Sequence, residues 1–222
     1  MREPRCVIIS AGSFTPIDIP LEEGDYCIAC DAGFMYARDL GILPDLIVGD
    51  FDSLGELGPD AERTLDEIRE SNPDRVIQLE VRKDDTDTMK AVKIALLKGY
   101  KKIFLYGALG GGRFDHSFAN IQTLLYIKHN GGTGYIMDRD RMLMIAENET
   151  VKFNKGNTGY ISVFSLSEKS EGVTLKGLMY TLDNGVLTAD FPLGVSNEFI
   201  QDEEAELSVE RGTLLICVEF AD

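Results

Sequence analysis

The chain of 222 residues has no tryptophan and only two histidines. It also lacks any apolar run near the ~18–20 residues of a membrane-spanning helix. The N-terminus, MREPRCVIIS, carries a four-residue apolar run after its charges. That is too short for the core of a secretory signal, so the expected location is the cytoplasm. Positive charge is scarce: 22 Lys and Arg stand against 38 Asp and Glu, giving a net charge of −16, and no basic cluster exceeds two residues. Nucleic-acid binders neutralise phosphates with basic patches, so that class is set aside. Cysteine is sparse too, at Cys6, Cys27, Cys30 and Cys217. Cys27 and Cys30 form a C-x-x-C pair, which can signal zinc or redox chemistry. Zinc needs further ligands, and no second pair exists. The redox version opens a helix, whereas this pair lies inside the strand-like run YCIACD. Buried, reduced core thiols are the expected reading.

The remaining composition, 44% apolar and 27% charged, is that of a globular protein with a sizeable core. In the first part, short apolar runs alternate with amphipathic stretches. Strands are expected at 6–10, 26–31, 46–50, 75–79, 101–107 and 134–138. Helices are expected at 34–41, 60–70, 88–98 and 116–130, with Gly41, Gly99 and Gly131 as stop signals. This rhythm predicts a doubly wound, mostly parallel sheet with helices on its faces. Beyond about residue 140 the helical period disappears. Runs such as TVKF, TGYISVFSL, GVTLKGLMYTL, GVLTADF, AELSVE and TLLICVEF are separated by turn signals, and Asn184-Gly185 reads as a hairpin turn. The expected architecture is an α/β domain over 1–138 followed by a small antiparallel β-sandwich domain over 139–222.

Three acidic clusters fall in the first part. Asp31 ends the YCIACD run and precedes Ala32-Gly33. Asp50 and Asp52 flank Phe51 in Gly49-Asp50-Phe51-Asp52-Ser53, at the end of LIVGD. Asp84, Asp85 and Asp87 lie in Lys83-Asp84-Asp85-Thr86-Asp87, ahead of a helix. Ligands of doubly wound sheets bind beyond the carboxyl ends of the strands, which puts Asp31 and Asp50 along one edge. Asp50 and Asp52 are two residues apart, so in an extended segment they point the same way while Phe51 turns inward. Paired carboxylates repel unless a cation lies between them, and magnesium suits such oxygen ligands. Each cluster also has a plainer reading. Asp84 or Thr86 can serve as a helix cap, and Asp31 can be an ordinary strand-end turn.

A fourth feature is the run Gly107-Ala108-Leu109-Gly110-Gly111-Gly112-Arg113-Phe114-Asp115-His116, between a strand and a helix. Gly110, Gly111 and Gly112 let backbone N–H groups approach an anion, and the helix start favours negative charge. Arg113 adds a planar fork that matches phosphate oxygens. The run is not a Walker loop, because no Gly-Lys-Ser/Thr follows. His116 is expected to hydrogen-bond this loop. Carboxylates beside a polyphosphate make sense only with metal between them, so the set points to phosphoryl or pyrophosphoryl transfer.

In order along the chain, Asp31-Ala32-Gly33, Pro44-Asp45, the segment 49–53, the segment 84–87, the segment 110–116 with Asn120, and Gly194-Val195-Ser196-Asn197-Glu198 resemble the motifs of the thiamine pyrophosphokinase family. The resemblance implies an α/β domain that binds ATP and metal, followed by a β-sandwich that binds thiamine and forms the dimer. It implies a homodimer with active sites between subunits, and transfer of the pyrophosphoryl group of ATP to the hydroxyl of thiamine. Asp50, Asp52 and Asp87 would hold Mg2+, with Asp31 and Asp84 in the same cleft. Arg113 and Asp115 would complete the nucleotide end, and Ser196 and Asn197 would touch thiamine. Some members stack thiamine on a tryptophan, and in this chain, which has none, a Phe or Tyr could serve instead. Two other classes compete: a magnesium-dependent phosphohydrolase using Asp50 or Asp52 as nucleophile, and a non-catalytic nucleotide sensor.

Overall fold

The computed structural model describes residues 2–52, 58–80 and 84–221. The chain divides into two compact units, Met1–Arg139 and Asp140–Asp222. In the first unit the strands are β1 (Arg5–Ile9), β2 (Tyr26–Cys30), β3 (Leu46–Gly49), β4 (Val76–Gln78), β5 (Lys102–Tyr106) and β6 (Thr133–Met137). Among the described residues four α-helices alternate with them: α1 (Gly33–Asp39), α2 (Pro59–Ser71), α3 (Asp87–Leu97) and α4 (Phe114–His129). Among the described residues the pairings within this unit are all parallel, in the order β6-β5-β1-β2-β3-β4. The order reverses direction at β1, which lies between β5 and β2. A crevice opens at such a switch point, because the connections on its two sides leave in opposite directions.

Burial explains why the strands read as unbroken apolar runs. Val7, Ile8, Ile28, Ala29, Val48, Ile103 and Leu105 have no exposed surface, as expected for a sheet covered on both faces. Cys6, Cys27 and Cys30 are buried free thiols on β1 and β2. Burial pushes the Cys27 thiol up to about 12, which suppresses the reactive thiolate. The C-x-x-C pair is thus packing. Helix α1 lies close on β1, since a Cβ added at Gly33 would overlap the carbonyl oxygen of Ile9.

The second unit holds β7 (Arg141–Glu147), β8 (Thr150–Phe153), β9 (Gly159–Ser165), β10 (Lys169–Lys176), β11 (Leu182–Thr188), β12 (Gly194–Glu198), β13 (Ala205–Ser208) and β14 (Thr213–Phe220). They form two antiparallel layers, β12-β9-β14-β7 and β11-β10-β13-β8. Ile161, Val163, Leu214 and Ile216 from one layer and Val173, Leu175 and Leu207 from the other are buried, the alternation of a two-sheet sandwich. A buried hydroxyl pair, Ser165–Ser170 at 2.8 Å, joins the strands where the chain passes from one layer to the other.

Two expectations need correction. Asn184-Gly185 is not the hairpin turn. It lies inside β11 opposite Val173, at a register irregularity where Asn184 has φ 49°. The left-handed preference of Asn-Gly serves a bulge here, and the connection between β10 and β11 runs through residues 177–181. Strand β12 was absent from the expected set, its GVSNE too polar to read as a strand run, and so was strand β7. Its sequence RMLMIAE reads equally well as an apolar helix turn, and only pairing with β14 makes it a strand.

Candidate active site

The carboxyl ends of β1, β2, β3 and β5 surround a cleft of about 930 Å³. Its lining includes Asp31, Asp50, Asp52, Asp85, Asp87, the glycines Gly110, Gly111 and Gly112, and Arg113. Residues from four separate clusters of the sequence therefore meet in one place. Also in the wall are Ser10, Ala11, Gly12, Ser13 and Tyr36, which the sequence motifs do not single out. For Ser10 to Ser13 the only signal is a small-residue run straight after a buried strand, the position where a doubly wound fold puts its ligand loops.

Local backbone geometry produces the acidic side of the cleft. Asp31 leaves β2 with φ 44° and donates its amide to Val48 O at 3.0 Å. Its carboxylate folds over Gly49, where any Cβ would overlap Asp31 Oδ1. The next residues turn sharply: Phe51 has φ 60° and buries its ring among Ala29, Phe34 and Leu65. Phe51 points inward as expected, but through a kink rather than an extended segment. The Asp52 amide then donates to Asp50 Oδ1 at 3.4 Å, and both residues line the cleft. On the far side, Thr86 caps α3 by accepting from Met89 N at 3.1 Å, so Asp87 stands in the first turn of α3.

Crowding shows in the titration of Asp31, whose carboxyl is pushed up to about 8. Burial is the main cause, followed by the hydrogen-bonded neighbour Asp87 and the charges of Asp87 and Asp50, while the Phe51 amide opposes the shift. Such a cluster needs either a proton or a cation. Among the described residues no three acidic, His or Cys side chains form a ready-made metal cage. An all-oxygen set on an open cleft nevertheless fits magnesium, which takes one or two carboxylates and completes its shell with water and phosphate.

The opposite side is built from donors. Asn120 is buried and donates to Ala108 O at 2.7 Å, which braces the glycine loop from below. The Gly110 amide donates to Ser117 Oγ at 3.1 Å. The loop contact expected of His116 is therefore made by Ser117, one residue further along the helix, while His116 lines the cleft. Arg113 pairs with Asp115 through Nη2–Oδ2 at 2.7 Å and Nε–Oδ1 at 3.3 Å. This pair raises Arg113 and lowers Asp115 from their ordinary values, chiefly through the side-chain hydrogen bond between them.

Asp84 does not share the wall with Asp31. It lines a neighbouring depression with Leu79, Glu80 and Lys90, because Thr86 takes the cap and Asp84 is left outside the helix. Asp85 takes the wall position and pairs with Lys93 Nζ at 2.7 Å. Asp115 is not a lining residue either and reaches the cleft only through Arg113. Ser53 and Lys83 of the sequence motifs lie outside the described residues. In the second unit, Ser196 is exposed with φ 57° and its amide donates to Ser162 Oγ at 3.0 Å. Asn197 is buried, accepting from Tyr180 N at 3.0 Å and donating to Tyr180 O at 2.7 Å.

The same two-unit division appears in the family models. The thiamin pyrophosphokinase catalytic-domain model matches residues 20–135, and the thiamin pyrophosphokinase vitamin B1 binding-domain model matches residues 148–214. The chain belongs to the thiamin pyrophosphokinase family. A thiamine pyrophosphokinase of Bacillus subtilis strain 168 is 33% identical over 198 residues, 88% of this chain and 87% of that protein. The crystal structure of thiamine pyrophosphokinase from Bacillus subtilis matches at TM-score 0.83 and 29% identity, covering 98% of this chain and 100% of the other. A thiamin pyrophosphokinase structure from Geobacillus thermodenitrificans matches at TM-score 0.80 and 29% identity, covering 98% and 97%. Family membership sets aside the phosphohydrolase and sensor readings. The family's enzymes are ATP-dependent pyrophosphotransferases.

Proposed function

We propose that the cleft at β1, β2, β3 and β5 binds ATP with Mg2+ and transfers its pyrophosphoryl group to the hydroxyl of thiamine, giving thiamine pyrophosphate and AMP. The observation that carries this is the convergence of Asp31, Asp50, Asp52 and Asp87 opposite Gly110, Gly111, Gly112 and Arg113 around one cleft. In this reading Asp50, Asp52 and Asp87 hold magnesium, which supplies charge neutralisation to the phosphates when bound. Asp31 supports them from the strand end. Arg113 grips phosphate oxygens with its planar fork, and Asp115 keeps that fork oriented. The thiamine hydroxyl oxygen bonds to the β-phosphorus in line as the bond to the oxygen bridging the α-phosphate breaks; AMP departs and the hydroxyl proton passes to a carboxylate of the cleft, with most of the rate gained from positioning and preorganised charge.

The second unit takes thiamine, as the match to the vitamin B1 binding-domain model suggests. Ser196 offers an exposed hydroxyl, and Asn197 holds that strand in shape through Tyr180. Met179, Tyr180, Phe191, Leu193 and Val195 are exposed apolar residues near it in sequence. They suit the interface of a homodimer in which each α/β cleft meets the partner's sandwich. Among the described residues no helix is long and apolar enough to cross a membrane, and the reading keeps the enzyme in the cytoplasm. Incubation with ATP, magnesium and thiamine, followed by separation of the products, is the test. AMP and thiamine pyrophosphate are expected in equal amounts, and ADP with thiamine monophosphate would refute the proposal.

A further inference from the structure

The short loop after β1 enters the cleft beside the glycine loop, and the two are fitted backbone to backbone. The Gly12 amide donates to Gly107 O at 2.8 Å. A Cβ at Gly12 would come within 2.5 Å of that same oxygen, and a Cβ at Gly107 within 2.5 Å of Ser10 O. Ser13 faces the neighbouring glycines: a Cβ at Gly110 would lie 3.2 Å from Ser13 Oγ, and one at Gly111 would lie 3.6 Å from Ser13 N. A side chain at 110 would crowd Ser13, one at 111 would only touch it, and both positions favour glycine through their positive φ, 70° and 82°.

Two further contacts hold the loop. Tyr36 Oη donates to Gly12 O at 3.2 Å, and its ring stacks on Phe14 at 4.8 Å with planes 9° apart. Ser10 Oγ shares a buried 2.9 Å hydrogen bond with Thr88 Oγ1 on α3. The loop is thereby anchored at both ends while its middle lines the cleft. Among the described residues the amides of Ser13, Gly111 and Gly112 and the hydroxyl of Ser13 have no hydrogen-bond partner within the protein. With Arg113 they belong to the loops that follow β1 and β5, whereas Asp31 and Asp50 follow β2 and β3. The cleft thus has an acceptor-rich side suited to a cation and a donor-rich side suited to an anion.

We infer that Ser13 is a polyphosphate-binding residue of the ATP site: its hydroxyl and amide join the backbone amides of Gly111 and Gly112 in a cradle of two facing loops, with Tyr36 as the positioning residue that holds the first loop in place. The inference rests on the cleft being the ATP site. A hydrogen bond to a charged oxygen is worth enough that losing it weakens binding about tenfold or more. Ser13→Ala is therefore expected to raise KM for ATP about tenfold, with KM for thiamine unchanged. Ser13→Asp, which sets a carboxylate against the phosphates, should abolish detectable ATP binding by calorimetry. Tyr36→Phe keeps the stacking on Phe14 and should raise KM for ATP only a few-fold. Arg113→Ala serves as the control for the site itself. If Arg113→Ala weakens ATP binding and neither Ser13 variant does, the inference falls and the ATP site stands. If Arg113→Ala leaves ATP binding intact as well, the site reading falls with it. A rise in KM for thiamine alone in Ser13→Ala would also overturn the inference.

Discussion

Asp31 shows how much chemistry a single backbone conformation can set. A positive φ is uncommon for Asp but tolerated, as it is for Asn, and it tips the carboxylate over Gly49 into the company of Asp87 and Asp50. Its carboxyl is pushed up to about 8, well above the ordinary value of about 3.9. The folded state therefore holds this proton more tightly than the unfolded state. The resulting stabilisation is complete below the ordinary carboxylate range and is lost as pH rises through about 8. In metal-free protein, Asp31→Asn keeps the conformation and removes the titration. The variant is expected to become progressively more stable than wild type between pH 6 and pH 9, by at least about 1 kcal/mol at the upper end. Urea unfolding in EDTA at several pH values measures this, and a difference that stays constant with pH would disprove the account.

At the scale of elements, the cleft depends on how closely helices and loops approach the strands. Gly33 begins α1 directly against Ile9 O, whereas a Cβ added at Gly112, in the loop before α4, would meet nothing within 4 Å. Gly33→Ala must push α1 away from β1 and is expected to destabilise the protein by about 2 kcal/mol or more, the usual scale of overpacking. Gly112→Ala should leave stability within about 0.5 kcal/mol of wild type. Chemical denaturation of both variants checks the pair; equal losses would mean that the α1–β1 contact is not what sets the cost. The helices that position the site were visible in the sequence because their apolar period and their Gly stops are local. Which side chain caps α3 was not, since Asp84 and Thr86 both have the right spacing and only the folded turn selects Thr86.

For the whole molecule, the proposed homodimer implies that each active site draws on two chains. Asp52→Asn removes a charge from the cleft and is expected to lower turnover by about 100-fold or more. Ser196→Lys sets a cation where the cationic substrate is expected to bind, at a backbone conformation whose cost for Lys is about 1–2 kcal/mol. Each variant alone should be nearly inactive. After subunit exchange about half the dimers are mixed, and each mixed dimer has one intact site of two. Activity should then recover to about a quarter of wild type on this count. If tagged pull-down shows that mixed dimers form and activity stays at the background of the variants, the shared site is excluded.

The sequence by itself determined the class of each half and the identity of the acidic and glycine-rich clusters. Apolar period, stop residues and turn residues act over a few positions, so β1–β6 and α1–α4 were legible within a residue or two at their ends. Motif order along the chain was enough to indicate the family. Tertiary structure decided what no local pattern contains: the meeting of the β1 loop with the glycine loop, the exchange of Asp84 for Asp85 in the cleft wall, and the replacement of His116 by Ser117 at Gly110. It also made RMLMIAE a strand and turned Asn184-Gly185 from a hairpin into a bulge. Each of these depends on a partner far away in the chain. Pairing and close packing are non-local, so the residues that carry them have no distinguishing pattern until the sheet has formed.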